Sequence, residues 1–144
     1  MVDITEKPEV YREATASGKI KLKPETIRLI REGKIEKGDP FNVAKIAGIL
    51  AAKNTSSLVP LCHPLSLTNV NISISITDDS TVEVEATAKT RAQTGVEMEA
   101  LVAASVALLT IWDMTKQYEK DETGQYPSTV IQEIRVVRKI KQGR

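Results

Sequence analysis

Between residues 70 and 89 the chain alternates apolar and polar side chains across an acidic turn, a period of two that an α-helix cannot place on one face. Val70, Ile72, Ile74 and Ile76 are interleaved with Asn71, Ser73, Ser75 and Thr77. Beyond Asp78-Asp79-Ser80, Val82, Val84, Ala86 and Ala88 are interleaved with Glu83, Glu85, Thr87 and Lys89. The spacing predicts two antiparallel strands with one face dry and the other wet. A hairpin of that kind needs a cover.

Candidate covers lie on either side. Thr94-Gly95-Val96-Glu97 has the form of a capping box, and Met98, Leu101, Val102, Ser105, Leu108, Leu109 and Trp112 follow as the expected inward stripe of a long helix reaching about Tyr118. Upstream, Asp39-Pro40 reads as an N-cap and first helical residue. Phe41, Ala44, Ala47 and Ala51, with Val43, Ile46 and Leu50 alongside, then keep helical spacing through about Lys53. Pro24 and Gly33 bracket a short helix around Ile27, Leu29 and Ile30, whereas residues 54–64 show no period. Further strands are expected over 9–22, with Pro8 marking a strand start or a sheet edge, and over Thr129–Val137. The order β, one or two α, β, β, α, β predicts an α+β ferredoxin-like sandwich. That is a four-stranded antiparallel sheet with helices packed on one face, a single domain over 1–144.

Composition narrows the function classes. With 20 Lys+Arg against 19 Asp+Glu, the net charge of +1 gives no global basic field for nucleic acid. The outward hairpin positions offer Asn, Ser and Glu but no stacking aromatic, so an RNA-reading sheet fits poorly. One Cys excludes an internal disulfide, and one Cys with one His falls short of a zinc site. There is no Walker A loop and no GxGxxG, so phosphate binding falls to side-chain cations. Met1-Val2-Asp3 is unlike a secretory signal and the apolar run Ala100–Trp112 is short for a bilayer span. A cytoplasmic chain with no membrane association is the expectation.

Three clusters carry candidate chemistry. Val59-Pro60-Leu61-Cys62-His63-Pro64 holds the lone Cys and the lone His, as either a stiff connector or a ligand-facing strip. In an extended backbone Cys62 and His63 would point to opposite sides. Glu97 is accounted for as a capping partner, whereas Glu99 is not needed for capping and suits the paired N–H donors of a guanidine-like edge. Asp113 and Lys116, one helical turn apart, form either a surface ion pair or a partly buried acid/base couple. Cations at Arg12, Lys37, Lys45, Lys53, Lys120, Arg135, Arg138, Lys139, Lys141 and Arg144 would suit a polyphosphate where some of them converge.

Lys37-Gly38-Asp39, Ala44-Lys45-Ile46-Ala47-Gly48-Ile49, Pro60-Leu61-Cys62-His63-Pro64-Leu65, Thr94-Gly95-Val96-Glu97-Met98-Glu99-Ala100-Leu101 and the stretch from Ala103 to Lys116 together resemble the cyclic pyranopterin monophosphate synthase family. This is the C protein of molybdenum cofactor biosynthesis, and the resemblance covers nearly the whole chain. It implies a ferredoxin-like fold and a lyase acting on a cyclised guanosine triphosphate, 3',8-cyclo-7,8-dihydroguanosine 5'-triphosphate. The product would be cyclic pyranopterin monophosphate, with release of pyrophosphate. It also implies a homohexamer, a trimer of dimers, with active sites at a subunit boundary. No cofactor is called for; magnesium has a place only as a counterion of the phosphates, with no protein metal site.

Position by position, the resemblance makes Asp113 and Lys116 the catalytic pair. Leu61, Cys62, His63, Met98 and Glu99, with Glu97 beside them, become substrate-binding residues, and Arg12, Lys37, Lys53 and Lys139 become cations around the triphosphate and base. The chain departs from the family after Lys139, where Ile140-Lys141-Gln142-Gly143-Arg144 replaces a glycine-rich run. A noncatalytic ferredoxin-like module that binds a nucleotide without changing it is the competing reading.

Overall fold

The alternating segments become β2 (Leu67–Asp78) and β3 (Thr81–Ala92) in a computed structural model that describes residues 1–143. Arg144, one of the expected C-terminal cations, lies outside the described residues. The register sets Ile72 opposite Ala86, Ile74 opposite Val84 and Ile76 opposite Val82, so the apolar positions of both strands share one face. On the other side of β3, β1 (Val10–Lys21) pairs antiparallel with Ala14 opposite Ala88, Ala16 opposite Ala86 and Ile20 opposite Val82. The last strand, β4 (Val130–Gln142), completes the order β2-β3-β1-β4. The sheet is the antiparallel ferredoxin-like one expected. Pro8 precedes a central strand, so it marks a start and not an edge.

The helices are α1 (Pro24–Arg31), α2 (Pro40–Lys53), a short α3 (Thr55–Leu58) and α4 (Glu97–Glu119). Asp39 caps α2 as its sequence position promised: one carboxylate oxygen accepts from the amides of Phe41 at 3.0 Å and Asn42 at 3.3 Å. The turn α3 interrupts the segment expected to be irregular, with the Thr55 hydroxyl donating to the Ala52 carbonyl at 2.9 Å.

Two local readings of α4 need correction. Its N-cap is Val96, with no side chain capping it, so Thr94 stands outside the helix and no capping box forms. The inward stripe is as expected only in part: Leu108 is fully buried and Leu101 and Trp112 pack against the core, but Ala100, Ala103, Ala104, Ala107 and Ile111 are fully buried too, whereas Met98 and Leu109 are 37% and 58% exposed. The reason is steric. The sheet beneath is floored by Ala14, Ala16, Ala86 and Ala88, and small residues on both sides let helix and sheet approach closely. Leu108 reaches furthest into the sheet, to where a side chain on Gly18 would collide with it. The small residues of α2 make a similar close approach: it buries Ala44, Gly48 and Ala52 and turns Val43, Ile46 and Leu50 outward.

At 23 residues, α4 is longer than the apolar run that marks it and is long and apolar enough to cross a membrane. Here it is the core helix of the fold. Its last residue, Glu119, is fully buried and acts as a joint. The carboxylate accepts from the Lys23 amide at 3.0 Å, from the Thr26 hydroxyl, and from the Thr129 hydroxyl at 2.6 Å, tying the ends of α1 and β4 to α4.

Candidate active site

Strand parity decides which cations meet the helices. Arg12 shares the inward phase of Ala14 and Ala16, and Lys139 lies opposite Ala14 on β4, so both rise on the helix side beneath the start of α4. Arg12 is buried, donating Nε to the Ala92 carbonyl at 3.1 Å and Nη2 to the Gln93 carbonyl at 3.3 Å. It thereby fixes the turn that leads into α4. Freed from capping, Glu97 pairs with Lys139 at 2.7 Å. Burial alone would raise the Glu97 carboxyl, but the bond to Lys139, its own amide and the charges of Lys139 and Arg12 together hold it below its ordinary value.

Leu61, Cys62, His63, Glu97, Met98 and Glu99 all line one hollow of about 360 Å³, with Val2 and Ile4 of the N-terminal segment. Cys62 and His63 therefore share a side. The Cys62 amide bonds the Val59 carbonyl at 3.1 Å, and this turn removes the extended backbone that would have separated them. The His63 ring donates Nε2–H to the Val2 carbonyl at 2.7 Å. Glu99 is 3% exposed, and burial, with the nearby charge of Glu97, pushes its carboxyl above the usual range. Burial and the Glu99 charge likewise raise the Cys62 thiol above its ordinary value. This end of α4 is an acid-lined recess.

Asp113 and Lys116 lie at the other end. The Lys116 ammonium is 3.1 Å from one Asp113 carboxylate oxygen; that of Lys37, from the loop between α1 and α2, is 3.2 Å from the other and donates to the Asp113 carbonyl at 3.0 Å. Lys116 first, and then Lys37, hold the Asp113 carboxyl below its ordinary value. The side chains are 58%, 42% and 42% exposed for Asp113, Lys116 and Lys37, so the partial burial expected of an acid/base couple is absent within one chain. Asp113 and Lys116 border a second hollow of about 420 Å³ walled by Leu109, Trp112, Tyr126 and Ile131, where the Trp112 and Tyr126 rings meet at 5.2 Å. Tyr126 was not foreseen. Its one sequence signal is a lone aromatic in the polar loop before β4.

The expected cations thus do not converge in a single chain. Lys37 and Lys116 stand at one end of α4 and Arg12 and Lys139 at the other. Lys53 borders a third depression that shares Leu65 with the His63 recess. Glu99 and Asp113 are separated by fourteen residues of one helix, about 21 Å along its axis.

A sequence model of the MoaC family matches residues 1–142, a span that includes both ends of α4. This chain belongs to the MoaC family. Among relatives of the MoaC chain, the probable cyclic pyranopterin monophosphate synthase of Pyrococcus furiosus is 60% identical over 146 residues, covering 100% of this chain and 92% of the relative. Proteins of the same name from Saccharolobus solfataricus and Sulfolobus acidocaldarius are 58% and 57% identical, covering 99% and 98% of this chain and 95% and 98% of the relatives.

Proposed function

We propose that this chain is a cyclic pyranopterin monophosphate synthase, a lyase that rearranges a cyclised guanosine triphosphate and expels pyrophosphate. The observation that carries the reading is the meeting of Lys37 with Asp113 and Lys116, which sets one carboxylate between two ammonium groups drawn from distant segments. Ring opening and cyclic phosphate closure both move protons, and a carboxylate flanked by ammonium groups is a general acid/base unit for such steps. Fixed cations stabilise the negative charge that grows on departing pyrophosphate. In the other recess, the desolvated Glu99 accepts the N–H donors of the amino-pyrimidinone edge. His63, Cys62, Leu61, Met98 and Glu97 form the walls, with Lys139 paired to Glu97.

One substrate molecule is too short to touch both ends of the same α4, so the complete site draws its two halves from different copies. The exposed apolar outer faces of the helices, with Ile46 at 61%, Leu50 at 53% and Leu109 at 58%, support self-association. We take the assembly to be a homohexamer built as a trimer of dimers, in the cytoplasm. No cofactor takes part. In this reading magnesium would travel on the substrate's phosphates.

The test is direct. Supplied with the cyclised guanosine triphosphate, the protein yields pyrophosphate and a pterin that becomes fluorescent on oxidation. Substrate that binds and is recovered unchanged would make the chain a sensor.

A further inference from the structure

We infer that Tyr118 and Gln117 are positioning residues that clamp the 33–38 loop onto the end of α4 and so hold the Lys37 ammonium against Asp113. The inference rests on reading Lys37, Asp113 and Lys116 as the reaction centre. The loop is built as an arm with a joint at each end: Gly33 and Gly38 sit at φ of 69° and 117°, a backbone region that favours glycine. Its inner side is pinned by Ile35, which is 6% exposed, and by the bond from the Gly38 amide to the Ile35 carbonyl at 3.1 Å. Its outer side, Glu36 and Lys37, is exposed.

The described hydrogen bonds that tie Glu36 to the rest of the fold end on two adjacent α4 residues. The Glu36 amide donates to the Tyr118 hydroxyl at 2.8 Å, and the Gln117 amide nitrogen donates to the Glu36 carboxylate at 2.9 Å. Lys37 is the next residue along. A lysine ammonium on a four-carbon stem reaches a fixed point reproducibly only when its backbone is fixed, and the clamp fixes it one residue away. It anchors the loop to the same helix end that carries Asp113 and Lys116, so the three groups keep one spacing. Neither clamp side chain bonds Asp113 in any described hydrogen bond or ion pair.

The experiment measures kcat and KM against pH for the full chain with the cyclised guanosine triphosphate, in Tyr118→Phe, Gln117→Ala, Lys37→Met and Asp113→Asn. The groups facing Asp113 are Lys37 from the loop, Lys116 from its own helix and, across the hollow, the Tyr126 phenol. With the clamp released, Asp113 loses one of its two ammonium neighbours. The limb of kcat/KM that it governs then moves to higher pH, and kcat/KM falls about tenfold in Tyr118→Phe. Gln117→Ala, at an exposed position, follows in the same direction with a smaller loss. Wild-type kcat/KM and an unshifted limb in both clamp variants would overturn the clamp, as would a reduced rate with an unshifted limb, the mark of a merely structural role. Wild-type turnover in Lys37→Met or Asp113→Asn would overturn the centre, and the clamp with it.

Discussion

The two ends of α4 hold carboxylates in opposite settings. At the start, Glu99 is almost fully buried and its charge is disfavoured; near the end, Asp113 is open to water and its charge is favoured by two ammonium groups. A desolvated carboxylate in a recess recognises, because it gains most from a ligand that brings N–H donors to it. A solvated carboxylate between cations suits proton movement, but it discriminates poorly and is screened by salt. On the proposed function, recognition and reaction are divided between the ends of one helix. The division works only if a second copy brings the missing half within reach.

The largest expected effect breaks the reaction end alone. Asp113→Ala lowers turnover by about 10²–10⁴, the range of a lost general acid/base. Because the side chain is 58% exposed, melting stays where it was and substrate still binds, as calorimetry and pterin fluorescence will read together. Unimpaired turnover would remove Asp113 from the mechanism.

The next effect tests the division itself. At substrate too dilute to fill a site that lacks Glu99, mixing and reassembling Asp113→Ala with Glu99→Ala subunits restores about a quarter of the wild-type rate, since a site then draws one intact end from each kind of copy. If each copy held a complete site, mixing would restore nothing.

What could be read from the residues follows the same division. The hairpin and the starts of α1 and α2 were legible because alternation, Pro24, Asp39 and Pro40 act over a few neighbours. The recess at the α4 start was legible in its members but not in its geometry: Cys62 and His63 share a side only because of the turn from Val59. The buried stripe of α4 was legible only in part because large apolar residues draw attention, whereas a sheet floored by alanines selects alanines. The contact of Lys37 with Asp113 joins residues 76 apart through a loop, and nothing local encodes it. The bracketing Gly33 and Gly38 are the one local hint that the loop is shaped for a purpose.

A third effect separates the two carboxylates near the reaction end. Glu119, six residues beyond Asp113, is fully buried and bonded to Lys23, Thr26 and Thr129, so it belongs to the scaffold. Glu119→Ala costs about 3 kcal/mol of folding stability, the scale of charged hydrogen bonds lost with their partners left buried. Thr129→Val costs about half of that, and denaturant midpoints check both. The folded fraction of each keeps its turnover. Normal stability with lost turnover would instead put Glu119 in the site.

The smallest effect sharpens the recognition end. Burial, seconded by the charge of Glu97, raises the Glu99 carboxyl in the free protein, while N–H donors from a bound pyrimidinone edge favour its ionised form. Binding therefore expels a proton, and affinity falls as pH drops through the raised Glu99 value, approaching tenfold per pH unit. Folding stability runs the other way. A carboxyl raised in the folded state contributes stability that is present at low pH and lost as pH rises through the folded value, so Glu99 makes the ligand-free protein steadier on acidification. Glu97, held low, contributes stability that is lost only as pH falls through its own lower value. Over the window between them, acid should weaken ligand binding without weakening the Glu99 contribution to the fold. Glu99→Gln abolishes both dependences and costs about tenfold in affinity at neutral pH. Titration calorimetry and melting over the same pH series give the two slopes side by side, and an affinity flat in pH would mean that the substrate edge lies elsewhere.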